Sequence, residues 1–370
     1  MSTATWIRGD VRAVLPTIPT GSIDLVVTSP PFWRQRGYLP GDHPDKHREI
    51  GQETSPAEFL DTLLELTVEW RRVLAPHGSI CIELGDTMAG SGGAGGDYND
   101  GGFRDGQPKW RGSATGDGPL PKSHCMIPEA YRFALVWGIN PFTGTPSPAG
   151  KWIVRNVVDW CRRNPTPGED GDKFRRATSD IVVATVSPNR WWDSESVRVP
   201  SDAEGTRPLY DWWDLASDPY PGAHYAVWPP EVARRLIVTM CPLKVCATCG
   251  EPQRRIVAPT DAYATKLGND MFGHVNDDRQ VKGRHGGQPP AGVTQVAGAE
   301  RVTTGWTDCG HDTWRAGMIL DPFAGSGTTG AVATGNSRDA ILVDIDERNV
   351  DLGFDRIGGL FLEVREMDPT

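Results

Sequence analysis

Two short strings carry residues suited to chemistry. The first is Ser29-Pro30-Pro31-Phe32, which follows the apolar, β-branched run Ile23–Thr28. That run predicts a buried parallel strand. The paired prolines fix φ and lack N–H groups, so their carbonyls are free to accept hydrogen bonds. With the Ser29 hydroxyl, they can grip an amino group conjugated to a ring, bend it toward sp³ and expose its lone pair to an electrophile. Phe32 can stack on the face of that ring. The second string is Asp321-Pro-Phe323-Ala-Gly325-Ser326-Gly327-Thr328, directly after an apolar strand at 318–320. Its glycines let the backbone turn tightly and a ligand come close. The helix that starts after Gly327 offers free N–H groups. The spacing is not that of a dinucleotide fingerprint, and Asp321 would repel a pyrophosphate. A zwitterionic amino acid fits better, its ammonium on Asp321 and its carboxylate on N–H groups. About twenty residues on, strand 340–343 ends in Asp344, placed to accept from ribose hydroxyls.

These strings resemble the catalytic and cofactor loops of S-adenosylmethionine-dependent DNA amino-methyltransferases. Ser29–Phe32 matches the family's (D/N/S)-P-P-(Y/F/W) motif, and a catalytic loop that precedes the cofactor loop is the order of its beta group. The likeness covers most of residues 5–245 and 315–360. It implies an α/β fold of the class I methyltransferase type, a doubly wound, mostly parallel sheet with loop-rich insertions. It also implies S-adenosyl-L-methionine as cofactor, held by Asp10, Thr28, His224, Asp321, Phe323, Gly325, Ser326, Gly327, Thr328 and Asp344. Asp10 belongs to the family's Gly-Asp segment, whose acid lies near the cofactor adenine. His224 opens the segment His224-Tyr-Ala-Val-Trp-Pro-Pro230, beside the methionine part, and could equally be a core histidine. Ser29, Pro30, Pro31 and Phe32 would act on a base flipped out of double-stranded DNA.

Serine at the first motif position is the usual form in relatives that methylate N4 of cytosine, and Asp is commoner for N6 of adenine. N4-cytosine is therefore expected, with N6-adenine as the alternative. C5 chemistry needs a nucleophilic cysteine in a Pro-Cys pair, and the chain has only the reverse order, Cys241-Pro242. Arg34 and Arg36 follow the catalytic loop. Arg163 stands where the family usually has a lysine. All three are candidate DNA contacts. A cognate restriction endonuclease is the partner that such a role would imply.

Other elements follow from capping and periodicity. Ser55-Pro56-Ala57-Glu58 is a capping box with proline at the first helical position, so a helix is expected to run to about Leu74 and stop at Pro76-His77-Gly78. Strands are expected over 79–84, 152–160 and 180–186, and helices over 128–137, 230–240 and 347–360. Gly85–Gly118 is rich in Gly, Asp and Ser and reads as a long loop. The expected organisation is a catalytic half over 1–186, a target-recognition segment over 187–222 and a returning helix over 223–245. An insertion over 246–314 and a cofactor-binding half over 315–370 complete it. The insertion contains Cys246-Ala-Thr-Cys249 and Cys309-Gly-His311, whose four N/S ligands are expected to form a structural zinc site, with loose cysteines as the alternative. Beta-group relatives often carry a finger there.

Composition sets outer bounds. With 370 residues, of which 38% are hydrophobic, the chain can bury a substantial core, and 43 Gly with 31 Pro imply many loops. No apolar run approaches membrane-spanning length, and no signal peptide is recognisable, so a cytoplasmic protein is expected. Seven cysteines, irregularly spaced, fit a reducing compartment. The net charge of -10 argues against nucleic acid unless the cleft itself is basic. The basic clusters Arg71–Arg72, Arg162–Arg163 and Lys173 with Arg175 and Arg176 read as solvated faces. Two rival functions remain: a nucleotide-cofactor dehydrogenase, disfavoured by the missing third glycine, and a DNA-binding protein without activity, disfavoured by the intact loops.

Overall fold

The computed structural model describes residues 2–89, 118–165, 171–201, 205–217, 228–261 and 301–366. The loop expected over 85–118, His224 and most of the expected insertion fall largely or wholly outside them. The chain begins with strand β1 (Ala4–Arg8), the short helix α1 (Val11–Val14) and strand β2 (Ile23–Thr28). Every residue of β2 is buried, because its two faces meet different helical layers. Val26 packs into one apolar cluster, while Leu25 and Val27 pack into the other.

Helix α2 (Pro56–Val73) starts as its capping box predicts. Ser55 Oγ accepts from Glu58 N at 3.2 Å, but the Glu58 carboxylate reaches back to Thr54 N and Oγ1 instead of closing on Ser55. Phe59, Leu63, Leu66 and Trp70 form the buried face. Strand β3 (Leu74–Leu84) follows without a gap. The helix stop Pro76-His77-Gly78 thus lies within the strand, as an excursion. Ile23 pairs with Leu74, yet Leu25 pairs with Ser79. The excursion brings His77 Nε2 to within 2.9 Å of Asp24 Oδ1. Arg315 and the Met318 N–H also bind that fully buried carboxylate. Burial alone would raise the Asp24 pKa. The His77 and Arg315 bonds outweigh it and hold the group below its ordinary value.

Next come α3 (Ile127–Trp137), β4 (Ile153–Cys161), β5 (Thr178–Thr185), the two-residue strands β6 (Val199–Pro200) and β7 (Thr206–Arg207), β8 (Trp212–Asp214) and α4 (Pro230–Met240). Strands β9 (Lys244–Cys246), β10 (Arg255–Pro259), β11 (Arg301–Trp306) and β12 (Trp314–Ala316) frame the insertion. The chain returns to the sheet through β13 (Met318–Asp321), α5 (Thr328–Gly335), β14 (Asp339–Asp344), α6 (Arg348–Ile357) and β15 (Leu362–Glu366).

Nine strands form one sheet in the order β15-β1-β14-β13-β2-β3-β5-β4-β8. From β15 to β3 the neighbours are parallel, and β5 runs antiparallel to both β3 and β4. Helices α2 and α3 cover one face, and α4, α5 and α6 the other. This is the doubly wound, mostly parallel α/β sheet that the sequence predicts. Strands β1 and β15 carry no comparable sequence signal. The carboxyl ends of β2, β13 and β14 share one edge, where ligands bind in such sheets.

Candidate active site

A cleft of about 610 Å³ opens at that edge. Both strings meet in it. Ser29, Pro30, Pro31 and Phe32 line one end, and Asp321, Phe323, Gly325, Ser326 and Thr328 line the other, together with Asp10 and Asp344.

The cofactor-loop end is held by its own hydrogen bonds. Asp321 ends β13 and is 3% exposed. Its carboxylate accepts from Thr28 Oγ1 at 2.6 Å, Thr329 Oγ1 at 2.5 Å and Phe323 N at 3.1 Å. It therefore ties the end of β2 to the start of α5. A carboxylate offers about four lone-pair sites, so one remains for an ammonium. Burial pushes the Asp321 carboxyl pKa up, and the two hydroxyls pull against it. Asp344, at the end of β14, accepts from Gly325 N at 2.7 Å and Asp346 N at 2.8 Å. Its pKa is pushed up to about 7, mainly by burial, with the Asp346 charge adding and the N–H bonds opposing. Arg356 of α6 donates to the hydroxyls of Ser326 and Thr328. Gly327 sits at φ 76° as the cap of α5, and a Cβ there would stand 3.2 Å from Trp6 and Gly353. It is not among the lining residues, and neither is Thr28. Both shape the loop from behind. Asp10 caps α1 and pairs with Arg12.

The catalytic-loop end is built differently. The loop is fixed from behind through Trp33 and Arg34. Trp33 Nε1 donates to Glu53 O, Arg34 N to Gly51 O, and Thr87 Oγ1 to Trp33 O. Phe32 lies against the bare backbone of Gly85, where a Cβ would come within 2.4 Å of its ring. Among the described residues, no group donates to the buried Pro30 carbonyl or bonds the Ser29 hydroxyl. Arg36 lines the cleft, whereas Arg34 turns back onto Trp33 and the Glu53 carbonyl.

Arg163 also misses the cleft. It lies exposed and pairs with Asp214 at 2.7 Å. Its neighbour Arg162 takes the inward place, with Glu83, Trp160 and Arg176. In the sequence these arginines look like solvated pairs. Only the strand order, with β5 antiparallel between β3 and β4, brings 83, 162 and 176 to one wall. Arg36, Arg162 and Arg176 thus gather positive charge beside Glu83, in a cleft that is also lined by Asp10, Glu49, Asp321, Asp344 and Asp346.

A second cluster lies in the insertion. The ligand atoms of Cys246, Cys249, Cys309 and His311 all fall within 4.8 Å of one another. Gly250, at φ 74°, closes the first turn, and Cys249 N donates to the Cys246 sulfur at 3.4 Å. Three sulfurs and one imidazole on two such turns fit a tetrahedral zinc ion. Strand β12 leads from this cluster to Arg315 and its bond with Asp24.

The fold is that of a class I methyltransferase domain. The family model described as DNA methylase, for N6 and N4 methyltransferases, matches residues 23–243 and 312–355. The chain belongs to this family of S-adenosylmethionine-dependent DNA amino-methyltransferases. It is 30% identical over 243 residues to the Type II methyltransferase M.Cfr9I of Citrobacter freundii, an alignment that covers 64% of this chain and 72% of the relative. It is 24% identical to the Type II methyltransferase M.SmaI of Serratia marcescens, over 95% of this chain and 89% of that one. Among solved structures, PvuII DNA methyltransferase (cytosine-N4-specific) shares the fold, with a TM-score of 0.51, 14% identity and coverage of 98% and 95% of the two chains.

Proposed function

We propose that this protein methylates N4 of cytosine at a specific site in double-stranded DNA. One observation carries the reading. Ser29 and the Pro30 carbonyl stand without partners among the described residues, at one end of a cleft whose other end holds Asp321 and Asp344. Ser29 in place of an acid is the form usual for N4-cytosine relatives. S-adenosylmethionine, held by the cofactor loop, supplies an electrophilic methyl group. The Ser29 hydroxyl and the Pro30 carbonyl accept the two N4 hydrogens and draw the nitrogen lone pair out of conjugation. Phe32 stacks on the flipped base. The transferred methyl replaces one proton, which leaves to solvent. The sharpest test is to methylate plasmid DNA and identify the modified nucleoside. N4-methylcytosine is expected. N6-methyladenine would shift the reading to the alternative target, and C5-methylcytosine would sink the chemistry.

The relatives' designation as Type II methyltransferases supports a role beside a restriction endonuclease of the same site specificity, with segments 187–222 and 250–308 contributing to site recognition. DNA modified by this protein should resist such an enzyme. With DNA as substrate, the working compartment is the one that holds DNA, the cytoplasm in a cell without a nucleus. Among the described residues, no helix is long and apolar enough to cross a membrane.

The donor set at Cys246, Cys249, Cys309 and His311 supports one structural zinc. It would clip the base of the insertion and, through β12, hold Arg315 against Asp24. About one zinc per chain is expected by elemental analysis. The double variant Cys246→Ser, Cys249→Ser should lose the metal and melt at a lower temperature. Metal-free protein of unchanged melting temperature would remove the site.

A further inference from the structure

We propose that Phe174 is the wedge that opens the duplex beside the target base, on a loop whose cations Lys173 and Arg175 meet the flanking phosphates. The proposal rests on the base-flipping reading above, but not on which base is methylated. Strand β4 ends at Cys161, paired with Thr178 at the start of β5, and Arg162 N donates to Ala177 O at 2.7 Å. Because β5 runs antiparallel to both β3 and β4, the β4–β5 connection leaves the sheet at the edge where β2 and β3 end. This edge holds the cleft, and Arg162, Pro165 and Arg176 of the connection line it. The returning arm, residues 171–177, is seated on the residues that follow β3. Arg176 Nη1 donates to Asp86 O at 2.7 Å, and Lys173 Nζ lies 3.3 Å from Met88 Sδ. The same few residues hold the catalytic loop. Gln35 Nε2 donates to Asp86 O at 3.0 Å, Thr87 Oγ1 bonds Trp33 O, and Gly85 backs the Phe32 ring. The Asp86 carboxylate is itself held by the N–H groups of Met126 and Ile127. Arm and catalytic loop thus share one bracket.

Phe174 is fully exposed, more so than any other large apolar side chain among the described residues. A single exposed apolar residue is ordinary on a protein surface. The place and company of this one are not. At most about 7 Å of chain separates it from Arg176, a residue of the cleft wall. Lys173, Arg175 and Arg176 flank it in the sequence, and the one acid of the arm, Asp172, is paired with Lys122 at 2.9 Å. An apolar ring among cations fits a ligand with stacked apolar faces between two rows of anions, which is what duplex DNA offers. Phe is among the side chains that enter an opened base step. Phe32, inside the cleft, serves the base that has left the stack. Phe174, which does not line the cleft, serves the stack left behind.

The test compares duplexes that differ in how much opening costs. The methylated site is first found by sequencing modified plasmid DNA. Duplexes with that site then carry the target base either correctly paired or in a mismatch, where extrusion is cheaper. Phe174→Ala should lose about tenfold to a hundredfold in kcat/KM on the paired duplex, a share of the cost of unstacking one step. On the mismatched duplex it should stay within about threefold of native protein. Its melting temperature and S-adenosylmethionine affinity should not change, since the ring is fully exposed. Phe174→Leu, which keeps an apolar wedge, should retain most of the activity. The double variant Lys173→Gln, Arg175→Gln should bind both duplexes more weakly, with a salt slope shallower by about two. An unchanged slope would remove these cations from the phosphates. Equal losses for Phe174→Ala on both duplexes, or no loss on the paired one, would overturn the wedge. A second readout separates the wedge from base flipping itself. With 2-aminopurine at the target position, native protein should raise the fluorescence, and Phe174→Ala should raise it less. Native protein that methylates the paired site yet leaves 2-aminopurine dark would overturn base flipping, and this proposal with it. A bright signal that Phe174→Ala leaves undiminished would overturn the wedge alone.

Discussion

The two ends of the cleft are prepared in opposite ways. At the cofactor end, almost every polar group has a partner inside the protein. Asp321 is bonded by Thr28 and Thr329, Asp344 by Gly325 and Asp346, and Ser326 and Thr328 by Arg356. At the catalytic end, Ser29 and Pro30 are left open, and Arg36, Arg162 and Arg176 lie beside Glu83. The first end is braced by these internal bonds. The second holds acceptors and donors in reserve, with rigidity supplied from behind by the prolines, by Trp33 and by the bare backbone of Gly85. A site braced by its own hydrogen bonds thus stands beside one whose polar groups are left for the base of the proposed reaction.

The contrast can be broken from either side. The largest effect is expected at the cofactor end. Asp344→Ala removes the expected ribose acceptor and the tether on Gly325, and should weaken S-adenosylmethionine by roughly 2–4 kcal/mol in calorimetry. Unchanged affinity would show that Asp344 only braces the loop. Next comes Pro30→Ala, which frees the carbonyl proposed to orient the amine. A displacement of about 1 Å can cost on the order of a hundredfold in turnover, and cofactor affinity should not follow. Phe32→Ala should cost about 1–3 kcal/mol of stacking, seen in kcat/KM at subsaturating DNA. Phe32→Trp should retain part of the activity. Gly85→Ala tests the same ring from behind, since its new methyl group would displace Phe32. An unaffected Gly85→Ala enzyme would mean that the ring position is not critical.

The smallest expected effect is a pH dependence. Asp344 titrates near 7 because burial raises its pKa, and ribose hydroxyls donate to the ionised form. Adenosine, which lacks the amino-acid end, should therefore bind more tightly as pH rises from about 6 to 8, by up to roughly tenfold. The trend should vanish in Asp344→Asn. A flat profile for the native protein would show that the ionised form has no preference for the ribose.

Much of the fold is legible in the amino-acid sequence. Strand β2, helices α2 and α4, and β13 with its glycine loop announce themselves through buried β-branched runs, a capping box and regular apolar spacing. β1 and β15 do not, because short edge-side segments such as Leu362–Glu366 alternate weakly and expose charged residues. The excursion at Pro76-His77-Gly78 reads as a break because proline and glycine signal one. The pairing with β2 simply resumes beyond it. At the site, the two strings stand out by their local signatures, and the wall formed by Glu83, Trp160, Arg162 and Arg176 does not. Those residues acquire a common purpose only through long-range pairing, which no local spacing encodes. Arg163 looks like the inward residue, in place of Arg162, because it stands where the family usually has a lysine. Adjacent residues leaving a strand face opposite ways, and only the sheet decides which way is inward.

The position of β13 has one more consequence. It fills the slot between β14 and β2, and Met318 bonds Asp24 across 294 residues of chain. At about 5–20 residues per second, roughly 15–60 s separate the synthesis of these partners. During that interval β2 waits with one hydrogen-bonding edge open, the edge on which Leu25 and Val26 later pair with Ile319 and Leu320. The middle of the sheet is filled only near the end of the chain, before β14 and β15 follow. A ribosome stalled before residue 318 holds the Ser29–Phe32 loop without the Asp321–Thr328 loop that shares its cleft.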